Sequence, residues 1–351
     1  MNDPNGLVFY KGYYHVFYQM CPNEDKPWIE PMHWGHARTR DFLTWEDLPV
    51  ALTPDTSYDK DGCWSGTAIV KDDTLFLFYS SVLYDEKTKL YTSQTVSIAT
   101  STDGINFKKY EGNPVIKSFP AEGSFNFRDP AIIKQGDSYK LLIATGHEES
   151  REGRLLMYTS YDLVNWELEA ILMCYHEAMF AECPSVVNTE SDTFLGVSIV
   201  SLNDSRSFKL MNGHFSDSYY LAKALSSPLL GPDQYAGQLF KSEDGRPLLL
   251  TWIPGWHFAD SDTRLGCLSV PMEVIPIDKR IHVYPIREFH HLLKSSDEAV
   301  ELTDTGLVIH RPTLDDVVYE GEIRTIAILH DEYVLEVFIN EGEAVITAVL
   351  I

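Results

Sequence analysis

Between residues 1 and 288, short runs of β-branched and aromatic residues alternate with turn residues, and almost nothing repeats at the 3.6-residue spacing of an amphipathic helix. Five pairs of runs stand out, each closed by a tight turn. They are 7–10 and 14–18 around Lys11-Gly12, 67–70 and 75–79 around 71–73, and 131–134 and 139–143 around 135–137. The last two are 185–187 and 194–200 around 188–192, and 238–240 and 247–252 around 241–245. Each pair reads as strand, turn, strand.

A second signature follows three of the pairs. Thr39-Arg40-Asp41-Phe42-Leu43-Thr44-Trp45, Ser101-Thr102-Asp103-Gly104-Ile105-Asn106-Phe107 and Ser160-Tyr161-Asp162-Leu163-Val164-Asn165-Trp166 share a small hydroxyl residue, an aspartate and a closing aromatic. Their aspartates stand 62 and 59 residues apart, each after a short β-like run (36–39, 96–100, 155–159). An aspartate that accepts nearby backbone N–H groups suits such a connection. An all-β repeat of about sixty residues predicts a five-bladed β-propeller over 1–288. Two β-sandwiches are the alternative, and they do not account for turn chemistry recurring at so long a period. From 289 the pattern changes to three strand-like runs, 322–329, 333–340 and 344–351, after a polar linker at 295–298. The expectation for 289–351 is a short C-terminal β-sheet, an abbreviated sandwich module.

Charge narrows the partners. With 28 basic and 52 acidic side chains the net charge is −24, which repels phosphate backbones and anionic membranes and leaves a neutral substrate open. The 12% aromatic content fits a carbohydrate cleft, and equally a β-rich core. Five cysteines, an odd number without C-x-x-C spacing, indicate neither a disulfide framework nor a zinc site. Without a visible signal segment or an apolar run of membrane-spanning length, the expectation is a cytoplasmic protein.

Each unit opens with its own short motif: Asn2-Asp3-Pro4-Asn5-Gly6, Trp64-Ser65-Gly66, Phe127-Arg128-Asp129-Pro130, Glu182-Cys183-Pro184 and Tyr235-Ala236-Gly237-Gln238. The first strand of every propeller blade lines the central channel, so Asp3, Asp129 and Glu182 should converge from three blades. Alone, Asp3 reads as a turn former and Arg128-Asp129 as an ordinary ion pair. Glu182, between Phe180-Ala181 and Cys183-Pro184, sits in surroundings too apolar for a surface carboxylate. Acetal hydrolysis needs one ionised and one protonated carboxyl. Apolar neighbours should raise Glu182 and make it the acid, turn donors should keep Asp3 ionised as the nucleophile, and Arg128 should hold Asp129 charged to clamp sugar hydroxyls. Cys183, with no histidine base at readable spacing, is expected to be a buried structural thiol.

Together these motifs, with Phe17-Tyr18-Gln19, His33-Trp34-Gly35-His36-Ala37 and Gly266-Cys267-Leu268-Ser269-Val270-Pro271, resemble family 32 of the glycoside hydrolases: invertases, fructanases and sucrose-phosphate hydrolases. The resemblance implies a five-bladed propeller with a C-terminal β-sandwich, no metal or other cofactor, and hydrolysis of β-fructofuranosides with retention through a fructosyl-enzyme. It implies the same roles for Asp3, Asp129 and Glu182. It further implies that Asn2, Gln19, Ser65 and Arg128 bond the fructosyl unit and that Trp64 and Trp28 form apolar walls. His33 and His36 lack a third ligand motif, so no metal site is expected. Departures are the absence of residues ahead of the Asn2 motif, Met272 where the family carries arginine, and the abbreviated C-terminal module, in which 336–343 resembles closing strands. That module leaves homo-oligomerisation open. The substrates implied are sucrose, fructo-oligosaccharides or fructans, with selectivity set by loops 21–31 and 84–93. The alternatives are a fructosyltransferase using the same site and a non-catalytic fructan-binding propeller.

Overall fold

Two-residue turns set the hairpins that begin the chain. Lys11 and Gly12 have φ of 49° and 78°, and Asp72 and Asp73 have 50° and 57°, the doubly left-handed backbone whose twist matches that of paired strands. The computed structural model describes residues 1–22, 31–216, 218–254 and 266–351, and among these there is no α-helix.

The first blade contains β1 (Pro4–Tyr10), β2 (Tyr13–Met20), β3 (His33–Thr39) and β4 (Trp45–Leu52). The second contains β5 (Cys63–Lys71), β6 (Thr74–Asp85), β7 (Leu90–Ser101) and β8 (Lys108–Lys109). The third contains β9 (Phe127–Gln135), β10 (Ser138–His147), β11 (Glu152–Ser160) and β12 (Glu167–His176). The fourth contains β13 (Ala178–Asn188), β14 (Thr193–Ser201), β15 (Arg206–Ser216) and β16 (Tyr219–Ser226). The fifth contains β17 (Tyr235–Lys241), β18 (Pro247–Ile253), the short β19 (Cys267–Leu268) beside β18, β20 (Met272–Ile277) and β21 (Arg280–Pro285). Strands within each sheet are antiparallel and in chain order, except in the fifth, where β18 pairs with both β19 and β20. The innermost strands β1, β5, β9, β13 and β17 each neighbour the next, and β17 returns to β1, closing the ring. The fold is a five-bladed β-propeller.

The core lies between blades. Leu141 and Ile143 of β10 pack towards Phe78 and Ile98 of the second blade, while Leu142 and Ala144 pack towards Leu195 and Val197 of the fourth. Strands buried on both faces read as unbroken apolar runs, which explains why 141–144 and 248–250 show no alternation. The repeated turn is one structure used three times. Asp41, Asp103 and Asp162 each accept two backbone amides through Oδ1, and the hydroxyls of Thr39, Ser101 and Ser160 accept another, from Phe42, Gly104 and Leu163.

After β21 and a 3-10 helix (Arg287–Leu292), the chain forms two three-stranded sheets, where the sequence pattern indicated one. The first holds β22 (Val300–Thr303), β23 (Gly306–Ile309) and β24 (Val317–Glu320). The second holds β25 (Ile326–Asp331), β26 (Val334–Ile339) and β27 (Ala344–Val349). Strands of only four residues, with exposed positions such as Leu302 and Val318, hid the first sheet from a search for apolar runs. Leu307 and Ile309 pack on Leu335, Val337 and Ile346, and the opposite face of the second sheet carries Phe338 and Val345 into the cluster between the fourth and fifth blades.

Candidate active site

A bulge recurs in every inner strand. Pairing with the second strand slips at Asn5/Val8, Trp64/Gly66, Arg128/Ala131, Glu182/Ser185 and Tyr235/Gln238. Four of the slips contain a left-handed residue: Gly6, Asp129, Cys183 and Ala236, with φ of 54°, 58°, 43° and 49°. Bulges re-aim side chains, and left-handed non-glycine backbone persists only where its surroundings hold it. Here they turn Ser65, Asp129, Glu182 and Tyr235 into one cavity of about 290 Å³, which Asp3, ahead of the first slip, and Gln19, Trp64, Tyr91, Arg128, Cys183, Arg206 and Trp252 complete.

Side chains tie the neighbouring inner strands together around it. Asn5 Oδ1 accepts the Gly66 amide at 3.3 Å. Ser80 accepts the Asp129 amide at 2.8 Å and donates to the Ser65 carbonyl at 3.1 Å. Asp129 Oδ2 accepts the Cys183 amide at 2.9 Å, and Ser185 donates to the Gly237 carbonyl at 3.2 Å. Each acid is thus fixed by the blade beside it as well as by its own.

Asp3 Oδ2 accepts the Ser65 hydroxyl at 2.9 Å, and Ser65 in turn accepts from the Gln19 amide. The Cys183 thiol lies 3.6 Å from both Asp3 Oδ2 and Asp129 Oδ2. Arg128 donates to Glu182 Oε1 at 2.7 Å and to Asn126 at 3.0 Å, and its Nε stands 3.8 Å from Asp129 Oδ2. Tyr235 donates its hydroxyl to the other Glu182 oxygen. The Arg128 guanidinium lies between rings, 4.8 Å from the Phe180 centroid and 5.9 Å from that of Trp64.

This geometry corrects the electrostatics expected from the sequence. Neither Asn2 nor Asn5 donates a side-chain bond to Asp3; burial, the charge of Asp129 and that of Glu182 outweigh the Ser65 donor and push Asp3 up to about 7. Burial likewise raises Asp129 to about 6, with Glu182 adding and Arg128 opposing. Arg128 keeps its ion pair with Asp129 at 3.8 Å and adds a shorter one with Glu182 at 2.7 Å, so one cation serves both carboxyls. Burial and the adjacent aspartates raise the Cys183 thiol well above its ordinary value, consistent with an unreactive buried group.

Of the residues singled out from the sequence, Asp3, Gln19, Trp64, Ser65, Arg128, Asp129 and Glu182 meet at the cavity. Asn2 is buried one step behind it, with its amide towards Met32 Sδ at 3.8 Å. Trp28 lies outside the described residues. His36 Nε2 stands 2.9 Å from His15 Nδ1 and stacks on Phe17 in the first blade, and His33 bonds the Pro31 carbonyl. Tyr235, Tyr91, Arg206 and Trp252 were not singled out as site residues. Tyr235 opens the fifth unit and was legible as the repeat equivalent of Glu182; Arg206, at the start of the third strand of its blade, carries no repeat signal.

The comparisons decide the kinship. A model of the glycosyl hydrolases family 32 N-terminal domain matches residues 1–285. The chain belongs to glycoside hydrolase family 32. Among its family 32 relatives, a sucrose-6-phosphate hydrolase of Zymomonas mobilis is 32% identical over 347 residues, covering 92% of this chain and 66% of the relative. A raffinose invertase of Escherichia coli is 34% identical over 308 residues, covering 83% and 63%. The chain therefore spans a little under two thirds of the length of these curated relatives. A mutant of the family 32 β-fructofuranosidase of Bombyx mori, solved in complex with sucrose, superposes with a TM-score of 0.84 at 26% identity over all of this chain and 86% of that one.

Proposed function

We propose that this chain is a retaining β-fructofuranosidase whose nucleophile is Asp3, whose acid/base is Glu182 and whose Asp129 holds the fructosyl hydroxyls. The observation that carries the reading is the meeting of these three carboxyls, from three blades, around one cavity beside Trp64. The names of the relatives, a sucrose-6-phosphate hydrolase, a raffinose invertase and a levanase, and the sucrose complex of the Bombyx mori enzyme support a β-fructoside as substrate.

Each role follows from what surrounds the group. Asp3 is held by Ser65, and Gln19 Oε1, at the cavity and buried without a partner among the described residues, is an acceptor suited to a sugar hydroxyl. The Asp3 carboxylate attacks the anomeric carbon while Glu182 protonates the departing oxygen; Glu182 then takes a proton from the water that releases fructose. Because Asp3 and Asp129 share one buried site, they titrate as a unit. Before substrate enters, the retained proton belongs to the Asp3–Asp129 side, where the raised values lie. Substrate hydroxyls that donate to those aspartates stabilise their ionised forms. Tyr235, on the outer oxygen of Glu182, keeps that carboxyl facing the leaving group.

Fructose release from sucrose, sucrose 6-phosphate, inulin and levan by the wild type, Asp3→Asn and Glu182→Gln tests the reading. The expected result is a loss of at least about ten-thousand-fold for Asp3→Asn and roughly 10^2–10^4-fold for Glu182→Gln, with both proteins folded. Unchanged turnover in Asp3→Asn would overturn it. Lengthened oligosaccharides at high sucrose would make the same site a transferase.

A further inference from the structure

The face that the second C-terminal sheet turns to the fifth blade is layered. On β26 and β27, side chains alternate between the sandwich interior and the propeller, so Val334, Glu336 and Phe338 face the blade together with Val345, Thr347 and Val349. Val334 and Val349 cluster with Ile253 of β18, and Phe338 and Val345 belong to the cluster that includes Leu249 of the same strand. Thr251 stands between Leu249 and Ile253 on that face of β18. The middle layer is therefore polar: Glu336, its cross-strand partner Thr347, and Thr251.

All three are buried, with 4%, 0% and 0% exposure. Glu336 Oε2 accepts the Val270 amide at 3.0 Å, whereas its Oε1 and the hydroxyls of Thr251 and Thr347 have no hydrogen-bond partner among the described residues. A buried polar group without partners needs a reason. The Val270 contact supplies a direction: the preceding Ser269 is bonded twice to Thr251, its amide donating to the Thr251 carbonyl at 2.9 Å and its hydroxyl accepting the Thr251 amide at 3.0 Å. Thr251 is followed by Trp252, which lines the cavity and pairs with Tyr235 in the sheet.

We infer that Glu336 is a positioning residue, a neutral clamp that fastens the C-terminal sheet to β18 and thereby holds the Trp252–Tyr235 wall of the cleft. Ionisation releases the clamp. Burial pushes Glu336 up to about 8, and the Val270 amide is too weak a donor to reverse this. Among the described residues, the charged group acting on it is Asp331 at the end of β25, which raises it further. On the same strand His330 is turned to Asp297; β27 and β18 present only the non-titrating Thr347 and Thr251, and β19 contributes the thiol Cys267. The kinetic part of this inference rests on the fructosidase reading, whereas its stability part does not.

The test compares wild type with Glu336→Gln, which keeps the acceptor for Val270 and cannot ionise. Thermal midpoints and KM for sucrose are measured from pH 4 to 10. A carboxyl raised from 4.5 to about 8 makes the wild type lose stability relative to the variant as pH rises through that interval, with the difference level above it. Wild-type KM should rise by about threefold or more relative to that of the variant through the same upper limit. A stability difference independent of pH overturns the clamp, and identical KM profiles overturn the positioning role. Should Glu336→Gln fail to fold, Thr347→Val makes the layer less polar and must move the break to higher pH; an unmoved break overturns the clamp. No sucrose cleavage by either protein at any pH would count against the fructosidase reading alone, with the midpoints still deciding the clamp.

Discussion

Arg128 forms a 2.7 Å ion pair with Glu182, the acid of the next blade, and leaves its own neighbour Asp129 at 3.8 Å. One buried cation thus serves two of three carboxyls and reaches the third only through their shared field. Removing it should damage both chemistry and fold. Arg128→Gln is expected to lower kcat/KM for sucrose by roughly a hundredfold or more, since the charge that orients Glu182 is lost. Stability should fall by about 3–5 kcal/mol, because the carboxyls remain buried without their partner. The loss should be larger at pH 8 than at pH 5, where protonation of the cluster relieves the repulsion. Chemical denaturation at the two pH values checks this, and equal losses would count against it.

A second prediction concerns pH alone. Asp3 and Asp129 are raised to about 7 and about 6 from an ordinary value of 3.8. Between about pH 4 and 7 the folded protein retains protons that the unfolded chain has released, so these groups lower stability as pH rises through that window. Asp3→Asn removes the larger of the two shifts. Its thermal midpoint should exceed the wild-type value at pH 8 and converge with it near pH 4, even as activity disappears. Gain in stability from a lost functional charge is the expected trade. Parallel midpoint curves would remove Asp3 from the cluster.

Most of the propeller was legible because its devices recur. Three aspartate turns and five strand pairs mark the period, and the unit openings mark which residues face the channel. The bulges were not legible, since at Cys183 and Ala236 left-handed backbone falls on residue types that rarely adopt it. Adjacency in sequence pointed to the Arg128–Asp129 pair, present at 3.8 Å, and gave no sign of the shorter 2.7 Å pair that the guanidinium makes with Glu182 of the next blade. The first C-terminal sheet escaped for a different reason, its strands being too short and too exposed to register as apolar runs.

The turn aspartates respond to pH with the opposite sign. Backbone and side-chain donors hold Asp103 and Asp162 well below the ordinary carboxylate range. Their contribution is present above about pH 4 and is lost as pH falls through their depressed values. Asp162→Ala should cost about 1 kcal/mol at pH 7, the size of a lost capping interaction, and less at pH 2. Activity at saturating sucrose should be unchanged, since this turn joins the outer strands β11 and β12. A loss of activity without a loss of stability would contradict the structural role.

Gly66 and Gly12 separate two reasons for glycine within one fold. Gly12 sits in an open turn at φ 78°, where an added Cβ would have nothing within 4 Å, so Gly12→Ala meets only the backbone preference, about 1–2 kcal/mol. Gly66 lies at the bulge beside Ser65, and a Cβ there would stand 1.9 Å from the Phe78 carbonyl oxygen. Nothing at that contact is a flexible side chain, so β5 must move away from β6. Ser65 moves with it, and so does its 2.9 Å bond to Asp3. Gly66→Ala is therefore expected to cost more stability than Gly12→Ala and, in whatever protein remains folded, to lower kcat for sucrose, which Gly12→Ala leaves intact. Circular dichroism melts with initial rates on both variants decide it, and equal behaviour would mean that the close approach of β5 to β6 does not hold Ser65 in place.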